Sequence, residues 1–289
     1  MAEALAHPTP EDEVRSRLFA LGEIPPPPAI AQELIRLAGN DQADIHELVK
    51  VVEKSPELTA RILRWANSAY YGQRNQIFST RDGIIRVLGL STAKSLLLAQ
   101  ALAVSFATRE LSFFPLERFW YLAVATATLG QDLAQQHFRH KVSPGIAYTA
   151  GLIHNIGLLA LVTAFPEELE QVFIEKHEDP ISFRIYGKIG IDPCVAGAWL
   201  GKRWGLPEDF VRVIRYLKDP DYEGQQWEMV RLIGLAAVVA EHHLDGKALS
   251  DIPPECRNEK LVDFTTLFSV VECLNSRFDE LKNFSLLLV

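Results

Sequence analysis

Cysteine is scarce in this chain, and its three cysteines do not form the patterns that build cysteine-based sites. Cys194, Cys256 and Cys273 are odd in number and far apart, and no two of them make a C-x-x-C pair. Neither a disulfide framework nor a thiolate zinc site is therefore predicted. A reducing compartment suits such a chain, so we expect a cytoplasmic protein.

Positive charge and long apolar runs are also in short supply. The chain has 29 Lys and Arg against 37 Asp and Glu, which gives a net charge of -8. Because nucleic acids and anionic lipids attract basic proteins, this balance predicts no DNA partner. The longest apolar stretches, around residues 158–165 and 235–240, fall short of a bilayer's thickness, so no membrane span is predicted.

Alternating apolar and polar residues, the pattern of half-buried strands, are missing as well. Helical periodicity instead continues almost from end to end, so the predicted fold is all-α. Helix starts are marked by caps and first-turn prolines, for example at Asp44 and at Ser55-Pro56. One helix is predicted over residues 143–164 and another over residues 261–284, the second with seven apolar residues on a single face.

Residues 80–106 read as helix, glycine turn and helix, which mimics a DNA-binding helix-turn-helix. A helix that reads DNA needs cationic and amide side chains on its groove face. Between Ser91 and Thr108 only Lys94 and Gln100 are of these types, and the helix is apolar nearly all round. It is therefore predicted to be a buried core helix.

The stretch Gly151-Leu-Ile-His154-Asn155-Ile-Gly157 resembles the metal-binding His-Asp step of a helical phosphohydrolase, with asparagine in place of aspartate. A neutral amide is a much poorer metal ligand than a carboxylate. His154 is flanked by apolar residues, which favours a hydrogen-bonded core histidine. An aspartate at position 155 is expected to destabilise an apolar helix, because its charge would be poorly solvated there.

A second motif occupies residues 61–72. Its apolar helical face is interrupted by Asn67 and Ser68, whose side chains are expected to end the helix by bonding to freed backbone groups. With Tyr70 and Tyr71, these residues form a candidate motif surface.

Taken together, the motifs resemble the HDOD family, the HD-related output domain of bacterial signalling proteins. The matching segments are residues 24–30, 55–58, 61–72, 84–90, 151–157 and 204–207, within a resemblance that covers about residues 21–243. The resemblance implies a multi-helical fold in two packed lobes, related to the HD phosphohydrolases. It also implies a role in regulating or assembling signalling components, generally without demonstrated catalysis.

Catalytic HD enzymes bind metal through a first histidine, a His-Asp pair and a distal aspartate. By local motif, the resemblance places these ligands at Leu122, at His154 and Asn155, and at Ala237. Three of the four positions lack the expected ligand. We therefore expect no catalytic residue, no metal and no cofactor, and interpret the four positions as a vestigial pocket that is a candidate ligand site.

The predicted organisation is an N-terminal helical extension over residues 1–20, an HDOD domain over 21–245 and a C-terminal helical extension over 246–289. The HDOD domain divides into a lobe at 21–108 and an HD-like lobe at 116–245, on which the C-terminal extension is expected to pack. The predicted function is that of a non-catalytic signalling protein that binds a protein partner supplied in trans, or a small nucleotide ligand. The alternative is a divergent metal-dependent phosphohydrolase acting on a nucleotide or cyclic dinucleotide.

Overall fold

The computed structural model describes residues 27–38, 44–106, 111–138, 141–175, 179–252 and 261–289. The described residues are mostly helical and contain no strand, so the all-α prediction is confirmed. The N-terminal extension predicted over residues 1–20 lies outside the described residues. Residues 107–110, at the predicted boundary between the lobes, lie outside them too.

The longer α-helices of the described residues range from 9 to 22 residues in length. In chain order they are α1 (Ala29–Ala38), α2 (Ile45–Glu53), α3 (Pro56–Ala66), α4 (Leu90–Ala103), α5 (Leu116–His137), α6 (Pro144–Ile153), α7 (Ile156–Ala164), α8 (Pro166–Ile174), α9 (Ile181–Ile189), α10 (Pro193–Arg203), α11 (Glu208–Tyr216), α12 (Trp227–Leu244), α13 (Phe264–Ser276) and α14 (Phe278–Leu286). Before α4, one α-helical turn, Thr80–Asp82, continues into the π-helix Gly83–Leu88. Short 3-10 turns lie at Ala69–Tyr71 and Leu249–Asp251.

The predicted helix starts are made by the expected caps. The Asp44 carboxylate accepts the His46 amide at 2.9 Å, and the Ser55 hydroxyl accepts the Leu58 amide at 3.3 Å. Pro56 follows Ser55 in the first turn of α3, where its missing N–H leaves no unmet donor. Local sequence chemistry therefore sets these two starts.

Helix α4, which the helix-turn-helix pattern mimics, lies in the core. All residues from 93 to 102 are buried, and the helix packs on α1 on one side and on α6 on the other. Hydroxyls of Ser95 and Thr149, 2.6 Å apart, join α4 to α6. The predicted core role is confirmed, and buried residues of both predicted lobes, with those of α4 among them, belong to one apolar core.

The helix predicted over residues 143–164 is divided in the structure. Helix α6 ends at Ile153 and α7 begins at Ile156, with His154 and Asn155 between them. By length and composition, one stretch of the described residues, 144–164, could cross a membrane. The segments 80–88 and 90–103 would pass the same test together if, despite the bend of 115° between them, they formed a single span. Of the most apolar window of residues 144–164, 83% is buried within the protein, as in a core helix.

The helix predicted over residues 261–284 is also divided, at Arg277, into α13 and α14. The two helices pack on α5, and α14 also reaches the 3-10 turn at Ala69–Tyr71. The side-chain amide of Gln100 donates to the Leu288 carbonyl at 2.8 Å. The C-terminal helices therefore contact elements of both predicted lobes.

Candidate functional site

The helices that carry or adjoin the positions of the predicted vestigial pocket pack against one another. Leu122 lies on α5, His154 follows the last residue of α6, and Ala237 lies on α12, and each of these three helices contacts the other two. Leu122 and His154 are buried, and Ala237 is half-buried. The structure therefore brings together the elements that the predicted pocket requires.

Two glycines of the motif at residues 151–157 allow these helices to cross at backbone contact. A Cβ atom on Gly151 would lie 2.5 Å from the Ala127 Cα on α5. A Cβ on Gly157 would lie 1.9 Å from the Pro193 carbonyl oxygen and 2.5 Å from the Gly197 nitrogen. Since no side chain fits at such distances, the glycines hold α6 against α5 and α7 against α10. This part of the motif has a structural role independent of any metal.

His154 is held as a neutral core residue, as its apolar flanks predict. Its Nδ1 lies 2.6 Å from the Gly151 carbonyl oxygen. A carbonyl can only accept, so Nδ1 carries the proton and Nε2 is left as an acceptor in the neutral ring. Burial lowers the pKa of His154 to about 4, and the positive charge of Lys218 acts in the same direction. The imidazole is therefore uncharged at neutral pH.

Asn155 lies in a different environment from the one expected. It is the half-buried N-cap residue of α7, with φ -107° and ψ 17°, and not an interior position of one apolar helix. The premise of a deeply buried, helical position is therefore wrong. An aspartate here would stand at a helix N-terminus, where negative charge is stabilised by the unpaired backbone N–H groups.

The residues present do not fit the metal centre of an HD enzyme. The side chains of Leu122 and Ala237 have no donor atoms, which leaves one imidazole nitrogen and one neutral amide. No group of three or more His, Cys, Asp or Glu side chains suited to a metal ion occurs in the described parts of the chain. No other cluster in those parts supplies the ligands that the resemblance to HD enzymes leads one to expect at these positions.

The buried cysteine of the HD-like lobe offers no nucleophile either. Cys194 lies in the first turn of α10, where the carboxylate of the capping residue Asp192 accepts the Cys194 amide at 2.6 Å. Burial raises the pKa of the Cys194 thiol to about 12. It therefore stays protonated and unreactive at neutral pH.

Asn67, in the second motif, clamps a neighbouring loop. Its amide nitrogen donates to the carbonyls of Leu63, at 2.8 Å, and of Ile77, at 2.9 Å, while its oxygen accepts the Ile77 amide at 2.7 Å. The first bond ends α3, as expected for this residue. The other two fix residue 77 beside the helix end, so that residues 68–76 form a closed loop.

The remaining residues of the candidate motif surface are only partly accessible. The Ser68 hydroxyl donates to the Trp65 carbonyl at 2.7 Å, which completes the end of α3. Tyr70 and Tyr71 are half-buried and contact Phe284 of α14, with ring centroids 4.9 and 5.7 Å apart. The C-terminal helices therefore cover the tyrosines, and Asn67 is the exposed member of the set.

A hydrogen-bonded chain that the sequence did not suggest joins three helices near the end of α12. The Asn275 amide nitrogen donates to Glu272 at 3.2 Å, which leaves its oxygen to accept from His243 Nε2 at 2.6 Å. His243 Nδ1 then accepts from the Tyr121 hydroxyl at 2.9 Å. Helices α5, α12 and α13 are linked by this chain. Its members lie too far apart in sequence for spacing to reveal it.

The profile of the HDOD domain matches residues 24–220. The chain belongs to the HDOD family. The matched region contains both motifs and three of the four vestigial pocket positions, the exception being Ala237.

Two solved structures share the fold of this HDOD protein over nearly its whole length. One, from Marinobacter aquaeolei, is provisionally named a signal transduction protein; it has 27% identity and a TM-score of 0.82, over 96% of this chain and 65% of that one. The other is an HDOD domain protein of unknown function from Geobacter sulfurreducens, with 21% identity and a TM-score of 0.74, over 96% and 99%.

An uncharacterized protein of Treponema pallidum is 25% identical over 231 residues. These residues make up 78% of this chain and 44% of the Treponema protein. The chain therefore spans less than half of that relative and about two thirds of the Marinobacter protein.

Proposed function

We propose that this HDOD protein is a non-catalytic, cytoplasmic component of a bacterial signalling system, which acts by binding a protein partner supplied in trans or a small nucleotide ligand. The proposal is supported by Leu122, Asn155 and Ala237, which occupy positions where the resemblance to HD enzymes expects metal ligands, and by the mutual contacts of α5, α6 and α12, which carry or adjoin these positions. Binding needs the pocket and the surface of the fold, whereas HD-type hydrolysis also needs the metal.

The chemistry left in the pocket supports binding over hydrolysis. His154 Nε2 is a neutral acceptor, and the Asn155 amide offers both donor and acceptor atoms. Neither group can lower the pKa of a water molecule as a bound metal ion does. Such groups instead suit hydrogen bonds to a polar ligand, in a site whose backbone is fixed by the crossings at Gly151 and Gly157.

Metal content and hydrolysis test the proposal against the divergent phosphohydrolase. The full chain, purified without chelators, is assayed for bound Fe, Mn and Zn, and for Mn²⁺-dependent hydrolysis of bis(p-nitrophenyl) phosphate and of cyclic dinucleotides. We expect substoichiometric metal and no turnover above buffer. Losing one outer-shell partner already weakens metal binding about 10- to 100-fold, and first-shell losses are more severe.

The variant His154→Ala is the matched control, because it removes the one remaining imidazole of the pocket. One or two tightly bound ions per chain, together with hydrolysis that this variant abolishes, would establish the phosphohydrolase and overturn the proposal. Equal, background-level signals from both proteins support it.

A further inference from the structure

One segment of this acidic protein carries a local excess of positive charge. Between residues 64 and 86 the chain has four arginines, Arg64, Arg74, Arg81 and Arg86, and one carboxylate, Asp82. All four arginine side chains are exposed. The local excess of positive charge contrasts with the net charge of -8 for the whole chain.

Two exposed apolar side chains lie among these arginines. Phe78 is 79% exposed, the highest value among the large apolar residues of the described chain, and Ile85 is 46% exposed. We call the set Arg64, Arg74, Phe78, Arg81, Ile85 and Arg86 the basic loop surface. Exposed aromatic residues and arginines are the residue types enriched at protein interfaces.

The fold holds this surface in a fixed shape. Asn67 clamps Ile77, so Phe78 follows directly from an anchored residue. Gly83, at the start of the π-helix, packs so closely on α3 that a Cβ there would lie 3.2 Å from the Ile62 side chain and 3.4 Å from that of Ala66. The end of α3, the loop and the π-helix therefore lie side by side. Short π-helical segments are frequently found at functional sites.

In the part of the chain that the structure describes, carboxylates neutralise little of the positive charge on this surface. Within the described residues, Arg64, Arg74 and Arg81 form no ion pair, and Arg86 approaches Asp82 only at 3.9 Å. Arginines elsewhere commonly pair with carboxylates of the same chain, namely Arg36, Arg61, Arg118, Arg212, Arg231 and Arg277. A guanidinium is shaped to bind a carboxylate through two parallel hydrogen bonds, so the surface has unused capacity for acidic groups.

We propose that the basic loop surface docks an acidic segment of a protein partner, with carboxylates on its arginines and an apolar side chain against Phe78 and Ile85. The proposal rests on the binding role proposed above and specifies the chemistry of the partner. A peptide is favoured over nucleic acid because the surface combines charge with aliphatic and aromatic contacts, while the acidic remainder of the chain repels a long polyanion.

The test uses two fluorescent helical peptides, each about 18 residues long with one leucine stripe and either Glu or Lys at its other positions. Binding to the full chain is followed by anisotropy at low and moderate salt. We expect the acidic peptide to bind and the basic one not to bind. Arg74→Glu and Arg81→Glu should each weaken binding about fivefold or more, with the effect shrinking as salt rises. Phe78→Ser should weaken it at both salt concentrations.

Matched controls lie outside the surface. Lys247→Glu makes the same change in net charge at an exposed site that follows the end of α12, and Phe264→Ser removes a phenylalanine that is 49% exposed. Both should leave binding unchanged. Equal losses from the controls, no binding of the acidic peptide, or tighter binding of a single-stranded oligonucleotide would each overturn the proposal.

Sedimentation of the protein without peptide tests whether a second copy of this chain occupies the basic loop surface. Self-association that Arg74→Glu abolishes would assign the surface to a second copy of this chain, and so overturn the proposal of a separate partner. The experiments distinguish failure of the proposed binding role from failure of the proposed docking surface. Metal-dependent hydrolysis would refute the binding role whatever the peptide result. Absence of peptide binding in a metal-free, inactive protein would refute the docking surface alone.

Discussion

Arg277 lies over the ring of Tyr70, with its guanidinium carbon 4.3 Å from the ring centroid, and donates a hydrogen bond to the Tyr70 carbonyl at 3.1 Å. The two residues are 207 positions apart in the chain. Arg277 also separates α13 from α14, so the break between these helices is placed at the residue that contacts the second motif. A segment beyond the matched HDOD region, which ends at residue 220, is thereby joined to the motif.

Arg277→Ala is expected to lower the free energy of unfolding by about 1–3 kcal/mol, because it removes a cation–π contact and a charged hydrogen bond to a backbone carbonyl. Urea denaturation measures the change. Arg74→Ala is the matched control and should stay within about 0.5 kcal/mol, since Arg74 is exposed. An equal loss in the two variants would show that the contact with Tyr70 adds little.

Gly157→Ala is expected to destabilise the protein by about 3 kcal/mol or more, because the new methyl group would meet the backbone of α10, which cannot rotate away. Gly187→Ala is the control. Gly187 lies in helix α9, and an added Cβ there meets nothing within 4 Å. Alanine should stabilise that helix by up to about 1 kcal/mol. Equal changes in melting temperature for Gly157→Ala and Gly187→Ala would contradict the close crossing of α7 and α10.

His154 makes stability depend on pH in a defined window. Its pKa falls from an unfolded value of about 6.5 to about 4 on burial, so the unfolded chain binds more protons between these values. The stabilisation is therefore complete above pH 6.5 and is lost as the pH falls towards 4. Between pH 7 and 4.5, the wild type should lose about 2–3 kcal/mol more than His154→Gln, whose side chain does not titrate. If urea denaturation showed that the wild type and His154→Gln lose equal free energy of unfolding between these two pH values, the assigned pKa shift of His154 would be contradicted.

Much of the local structure follows from short-range sequence chemistry. The caps at Asp44 and Ser55, the helix end at Asn67 and the burial of α4 are all predicted from residue type and spacing. Each depends on neighbours within about four positions or on one helical period, which a single sequence displays directly.

Features set by distant contacts were missed. Periodicity continues through Asn155 and Arg277, where the structure breaks the predicted helices. No helix is predicted at residues 181–189, where α9 exposes Phe183 and Tyr186 and includes Gly187. In the C-terminal stripe, Phe264 and Phe268 are about half exposed, because α13 turns only part of its apolar residues towards α5.

In the candidate site, too, the features carried by local motifs are predictable from the sequence, whereas those set by distant contacts are not. The sequence identifies Leu122, Asn155 and Ala237 as positions without the expected ligands, and the structure places their helices together. It does not identify the role of Gly157, which depends on α10 some forty residues later. Nor does it show that Tyr70 and Tyr71 are covered by Phe284, a contact across more than two hundred residues.

Asn155→Asp is expected to restore neither metal binding nor hydrolysis, because Leu122 and Ala237 still contribute no donor atoms. Its effect on stability should also be small, within about 1 kcal/mol, since the new carboxylate stands half-buried at the N-cap of α7, where the helix dipole favours negative charge. Asn155→Leu, of similar size and without polar atoms, is the control and should also stay within about 1 kcal/mol, since the Asn155 side chain makes no capping hydrogen bond. Metal analysis, Mn²⁺-dependent phosphodiester hydrolysis and thermal denaturation of both variants test these expectations.

Hydrolysis by Asn155→Asp would mean that donor atoms from residues other than Leu122 and Ala237 complete the site. A loss of several kcal/mol would mean that position 155 is as poorly solvated as the apolar sequence around it suggests.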